Sequence, residues 1–293
     1  TRPDQAFLAG DDRFLVLQDA LGQVVELARP LVYGAALALA EGSPDTARDV
    51  SAAKVAANEA AGHPLALLTG HECVVDGMLL LGSNLPFDAS KEEQRNLPPM
   101  VMANEFAPEL ELPTVHIDNL TAAFEAVHYL HQLGHRQIAC VAGPEQMPLS
   151  HYRLQGYVQA LRRNGITVES SYITRGDFTY EAGAQALTQL MAQPKPPTAV
   201  FCHSDVMAIG VLSQAKKMGL RVPQDLSIVG FDDLKLAQYC DPPLTTVAQP
   251  RFQIGQQAML LLLEQLNGQT VASGSRLLDS ELIIRGSTAA PKR

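Results

Sequence analysis

The chain has 293 residues, 46% of them apolar and 18% charged, a globular composition that excludes a disordered one. A formal net charge of −9 argues against a strongly basic nucleic-acid surface, and no run of about twenty apolar residues suited to a bilayer occurs. Four cysteines, Cys73, Cys140, Cys202 and Cys240, are scattered without C-x-x-C or zinc spacing, so buried free thiols in a reducing compartment are expected. No basic-then-apolar leader is seen at the start, and the reading is a cytoplasmic protein without a membrane partner.

The first 73 residues read as alanine-rich helices of separate origin. From Phe14 to Glu41, apolar residues such as Leu17, Leu21, Val24 and Leu31 recur at helical spacing, with Pro30 kinking the run. Ser43 and Pro44 start a second helix, to about Gly62, dense in small side chains that favour close helix packing.

From Val74 the texture changes to alternating strands and helices. Short apolar strands are expected at Asp76–Gly82, Met100–Asn104, Val115–Ile117 and Ile138–Gly143. Helices are expected at Thr121–Leu133, stopped by Gly134, at Tyr152–Arg163 and at Tyr180–Ala192. A βαβ unit then spans Thr198–Asp233, with polar residues His203-Ser204-Asp205 and Asp232-Asp233 where its two strands end. Thr245–Ala248 is extended, Ile254–Leu266 helical and Leu282–Arg285 a closing strand. Such alternation predicts an α/β fold with a parallel sheet covered on both faces, whose carboxyl edge is where small ligands bind.

Several stretches in fixed order carry a family resemblance. GHRQIACVAGP, Arg153-Leu154-Gln155-Gly156, PPTAVFCHSDVMAIGVL, GLRVPQDLSIVGFDD and PPLTTVAQP resemble the lactose/galactose-repressor family of bacterial transcription regulators. DGMLLLGSNLPFDAS and AGPEQMPLSHYRLQGYVQALRR look closer to the branch of that family that responds to cytidine. The resemblance implies two Rossmann-like subdomains of the periplasmic-binding-protein type, with a small-molecule effector in the cleft between them. By analogy the first subdomain is 74–135 with 249–268, the second 136–248 with 269–288, and the chain crosses near Gly134–Arg136, Ala248–Pro250 and Gly268–Ser275. It further implies a homodimer that meets operator DNA through a helix-turn-helix, a pattern that residues 1–73 do not show. The family's opening strand also has no counterpart by pattern, so the first subdomain is expected to be incomplete.

The resemblance places five residues at the effector. Asp232 matches an effector-contacting aspartate, whose carboxylate can accept two ribose hydroxyls. Arg153 matches an arginine that reaches the effector, and Phe178 an aromatic that stacks on its base. Asp118 and Asp205 end strands in the same way, with helix capping as the competing role for each. A nucleoside effector, cytidine foremost, with no cofactor and no catalysis, is the function implied. Residues 23–61 separately resemble the C-terminal helical domain of acyl-CoA dehydrogenases, leaving a flavoenzyme as an alternative, although no Gly-rich stretch follows and no catalytic carboxylate carries over. A sugar-binding protein of the same fold is a third reading.

Other patterns are weaker. His128, His131 and His135 have a spacing suited to metal binding, but Gly134 ends the helix before His135. His203-Ser204-Asp205 holds hydrolase residue types that cannot converge from adjacent positions, and there is no G-x-S-x-G or G-x-G-x-x-G.

Overall fold

A computed structural model describes residues 14–18, 56–57, 77–81, 98–107 and 110–292. They fall into two units, residues 1–116 with 250–278 and residues 117–249 with 279–293.

In unit 1 a six-stranded sheet has the order β11-β5-β4-β3-β1-β2. Its strands are β1 (Phe14–Gln18), β2 (Ala56–Ala57), β3 (Gly77–Leu80), β4 (Met100–Ala103), β5 (Pro113–Ile117) and β11 (Gly274–Leu278). β3 and β4 are buried throughout, as continuous apolar runs in a parallel sheet must be. The helix α5 (Arg251–Leu266) packs on them. Gly77 permits that approach, because a Cβ there would lie 2.9 Å from Leu262 Cδ1.

Two expectations fail in this unit. Phe14–Gln18 and Ala56–Ala57, read above as helical, are parallel strands joined at Leu17↔Ala56, and β1 pairs with β3 from Phe14↔Gly77 to Leu17↔Leu80. A short apolar run does not reveal its period, and the open edge of β3 decides it. The opening strand thought to lack a counterpart is therefore supplied by Phe14–Gln18. The other calls on residues 1–73, including nearly all of the flavoenzyme-like stretch, lie outside the described residues. The first passage between units falls after His116, not near Gly134–Arg136, and the last after Leu278 rather than within Gly268–Ser275.

In unit 2 the sheet order is β12-β10-β9-β8-β6-β7. β6 (Ile138–Ala142), β7 (Ile173–Arg175), β8 (Ala199–Cys202), β9 (Ser227–Asp232) and β10 (Thr245–Ala248) pair in parallel. β12 (Glu281–Ile283) is antiparallel to β10 and closes one edge of this otherwise parallel sheet, which agrees with the expected α/β class. β7 and β11 escaped detection because their residues are half-exposed or exposed and lack an apolar run. Alternate residues of the buried strands face opposite sides. Ala139, Val141, Val200, Cys202 and Ile228 join one core with α3 (Tyr180–Met191) and α4 (Asp205–Lys217). Cys140, Phe201 and Phe231 therefore face the other way, toward α1 (Asn119–Gln132) and α2 (Pro148–Arg163).

Each helix pair is held close by glycine. A Cβ on Gly156 of α2 would meet the Leu120 carbonyl oxygen at 2.2 Å, and one on Gly183 of α3 would meet the Met207 carbonyl oxygen at 2.1 Å. His135, one of the histidines with metal-like spacing, serves a structural end. It is buried, its Nε2–H donates to the Ala289 carbonyl at 2.9 Å, and its Nδ1 accepts from Thr198 Oγ1 at 2.8 Å. This ties Ala289 to the residue that precedes β8, and burial lowers the ring's pKa.

Replacing Gly156 or Gly183 with alanine is expected to destabilise the protein by about 1–3 kcal/mol. Backbone cannot yield as a side chain can, so the clash outweighs the helix-propensity gain of about 1 kcal/mol. Urea unfolding measures this; a stabilised G156A would mean the helices do not approach as described.

Candidate functional site

The site is built where β6, β8 and β9 end in unit 2. Asp232, the last residue of β9, has φ +111°, and Asp233 has φ +51°. Two consecutive non-glycine residues in this region store backbone strain of about 1–3 kcal/mol each, which surrounding bonds must hold in place. The Leu234 N–H donates to Asp205 Oδ2 at 2.7 Å, and the Asp233 N–H reaches Thr246 Oγ1 at 3.4 Å. The Asp233 carboxylate pairs with Arg285 at 2.7 Å. Asp205 enters this corner because Gly230 carries no Cβ; one there would sit 2.2 Å from Asp205 Oδ1.

Asp205 does not cap α4. Ser204 does, accepting from the Met207 N–H at 3.2 Å, which leaves Asp205 buried and turned inward. Its Oδ1 accepts from Thr246 Oγ1 at 2.6 Å. Burial first, and the neighbouring Asp232 second, push its pKa well above the usual carboxylate range.

Arg153 projects from α2 into the layer beneath the helices, only 3% exposed. Its Nε donates to Asn119 Oδ1 at 2.8 Å and its Nη1 to the His203 carbonyl at 2.5 Å. Its guanidinium lies 3.7 Å from the centroid of the Phe231 ring, and its Nη2 is 3.8 Å from Asp232 Oδ1. The same Asp232 oxygen accepts from Gln249 Nε2 at 2.7 Å. A buried cation thus has an aromatic face, two neutral acceptors and a carboxylate around it.

The other two expected residues differ in setting. Phe178, at φ +64°, is partly buried against the α3/α4 core, beside Gly143 and Ser150; a Cβ on Gly143 would meet Phe178 Cζ at 2.3 Å and Ser150 Oγ at 2.5 Å. Ser150 lies one helical turn before Arg153, and its buried Oγ has no hydrogen-bond partner. Asp118 is exposed and caps α1, accepting from Leu120 N, Thr121 N and Thr121 Oγ1. Its neighbour Asn119 is the one that joins Arg153. The structure therefore gathers Arg153, Asp232 and Asp205, sets Phe178 beside the helix that carries Arg153, and leaves Asp118 capping.

Sequence reasoning did not single out Asn119, Gln249, Thr246 or Arg285, and took His203 only as a residue type. Asn119, His203, Gln249 and Arg285 are polar residues at the end of an apolar run and Thr246 is a threonine within a strand, signals too common to mark them. Among the described residues no group of three His, Cys, Asp or Glu is arranged to hold a metal, and no helix is long and apolar enough to cross a membrane. Cys140, Cys202 and Cys240 are free thiols, the first two buried.

With an acidic and a cationic side chain paired at the carboxyl ends of its parallel strands, unit 2 has the layout of α/β proteins that take small ligands at that edge. Residues 127–288, more than half the chain, match the Periplasmic binding protein-like domain, and the chain belongs to that family. It is 75% identical over 216 residues to the HTH-type transcriptional repressor CytR of Escherichia coli (strain K12), covering 74% of this chain and 63% of that protein. The chain thus spans less than two thirds of that relative's length. A transcriptional regulator CelR–cellobiose complex superposes with TM-score 0.80 at 29% identity, over 98% of this chain and 86% of the other. A LacI family transcriptional regulator from Enterococcus faecium with bound ribose gives TM-score 0.79 at 25% identity, over 96% and 100%. The flavoenzyme resemblance of residues 23–61 gains no support from these matches.

Substituting Arg153 with methionine is expected to cost about 3 kcal/mol or more, since Asp232 is left buried beside an apolar chain. Denaturant titration reads it, and a loss under 1 kcal/mol would contradict the arrangement. For Asp205 the folded pKa lies above the unfolded one, so the native state binds the proton more tightly. Its contribution to stability then falls as pH rises from about 4 through the raised pKa. D205N should accordingly gain on the parental protein as pH rises from about 4 to 7, a trend measurable by urea unfolding across that range.

Proposed function

We propose that this chain is the effector-binding and dimerisation part of a transcriptional repressor, and that its effector is a nucleoside, cytidine first. The observation that carries the reading is the buried Arg153–Asp232 pair at the carboxyl end of β9. A carboxylate held in place by Gln249 and Arg153 is pre-organised to accept ligand hydroxyls, with strength raised by its charge. Ser150 Oγ offers a further polar partner, as buried hydroxyls left unpaired by protein are rare. Phe178 supplies an aromatic face for a base.

The ribose bound to the Enterococcus faecium regulator supports a ribose-bearing ligand, and the 75% identity to CytR, with the resemblance to the cytidine-responsive branch, supports cytidine as that ligand. In such a repressor the nucleoside would act by binding one conformation more tightly, and so change affinity for operator DNA contacted through a helix-turn-helix. The protein works as a homodimer in the cytoplasm on this reading, and binding involves no bond making or breaking. A sugar effector is the second reading, favoured by the cellobiose complex of the CelR relative.

Isothermal titration decides between them. Cytidine should bind with a dissociation constant below the millimolar range, adenosine and ribose more weakly, and D232N should weaken cytidine binding by at least about tenfold. Absence of cytidine binding by folded protein at millimolar concentration would sink the nucleoside reading, and binding of a sugar alone would select the second.

A further inference from the structure

His203 is a fully buried histidine whose ring no functional reading above employs. Its backbone continues the β8–β6 ladder by one residue, the His203 N–H donating to the Val141 carbonyl at 2.9 Å. Its ring then turns under the first residue beyond β6, and the Gly143 N–H donates to His203 Nδ1 at 3.1 Å. From the other side the Gly176 N–H donates to the Ala142 carbonyl at 2.8 Å. The end of β6 is thus held between two neighbouring segments.

The tautomer follows from these bonds. Nδ1 accepts, so a neutral ring carries its proton on Nε2, which points at Cys140 Sγ 3.4 Å away. A protonated ring would set an N–H against the Gly143 N–H, two donors facing each other in a buried place. The Arg153 guanidinium on the His203 carbonyl also disfavours a second positive charge. Burial, with Arg153 and Arg175, holds the ring's pKa well below its ordinary value.

What His203 holds in place is two of the proposed effector groups. Gly143 is wedged against Phe178 and Ser150, so the acceptor that fixes Gly143 fixes the seat of the Phe178 ring. The His203 carbonyl fixes Arg153 directly. The His203 ring also packs on Phe201 at 5.5 Å, Phe201 on Phe231 at 6.4 Å, and Phe231 bears the guanidinium. We propose that His203 is a positioning residue of the effector site, acting through Gly143 on Phe178 and through its carbonyl and the ring column on Arg153. This inference rests on the nucleoside reading for what is positioned, but not for the positioning itself.

Two substitutions separate the ring's roles. H203N places an amide oxygen where Nδ1 stands and keeps the acceptor; H203F keeps a ring and removes it. Gly143 amide hydrogen exchange should be slow in the parental protein and in H203N, and at least about tenfold faster in H203F, whose amide has lost its buried acceptor. Cytidine affinity should follow the same order, H203N within about threefold of the parental protein and H203F weaker by about tenfold or more. Ring nitrogen NMR of the parental protein should show Nδ1 without a proton and Nε2 with one, a readout that needs no folded variant.

A proton on Nδ1, or equal Gly143 exchange in all three proteins, overturns the proposal. So does cytidine affinity in H203F equal to that of the parental protein. If the parental protein binds no cytidine, the nucleoside reading fails alone, and the exchange rates and ring tautomer decide the positioning role.

Discussion

The buried guanidinium of Arg153 is the constraint on which the rest of unit 2 turns. A cation in the layer between α1, α2 and the sheet is tolerable only if surrounding groups replace the water it has lost. Those groups come from far apart in the chain: Asn119 opens α1, His203 follows β8, and Phe231 and Asp232 close β9. The demand therefore forces strand ends and one helix start to converge at one edge. The polar edge and the stability of the layer have a single origin.

That convergence needs backbone conformations the chain would not choose alone. The left-handed turn at Asp232-Asp233 persists because Asp205 of α4, Thr246 of β10 and Arg285, just past β12, bind its amides and carboxylate. Asp205 can do so only because Gly230 leaves room and Ser204 takes over the capping of α4. The two aspartates thus have divided roles, one bracing the turn and one facing the guanidinium. Both sit behind helices that glycines draw together, Gly156 for α1 and α2 and Gly183 for α3 and α4.

The alternation of buried strands and helices after Val74 was legible because period and length speak clearly in runs such as Ala199–Cys202 and Ser227–Asp232. Edge strands were not: Ile173–Arg175 and Gly274–Leu278 carry no apolar pattern, and Phe14–Gln18 was absorbed into a helical periodicity. Of the five residues singled out, Arg153, Asp232 and Asp205 do meet. Asp118 shows why the end of a strand is a weak criterion, since the same residue type served a helix start while Asn119, next to it, turned inward.

The amino-acid sequence by itself determined the α/β class, the order of most elements and the acidic ends of the central strands, because these depend on local hydrophobic period and on residue type. Only the tertiary structure decided which polar side chains share the buried edge. Hydrogen bonds such as His203 to Gly143 and Gln249 to Asp232 join residues 60 and 17 positions apart. Their existence depends on strand register and on the space glycines leave, neither of which has a local signature. The tertiary structure likewise decided that Phe14–Gln18 is a strand, since a ladder forms only when a partner such as Gly77–Leu80 lies beside it.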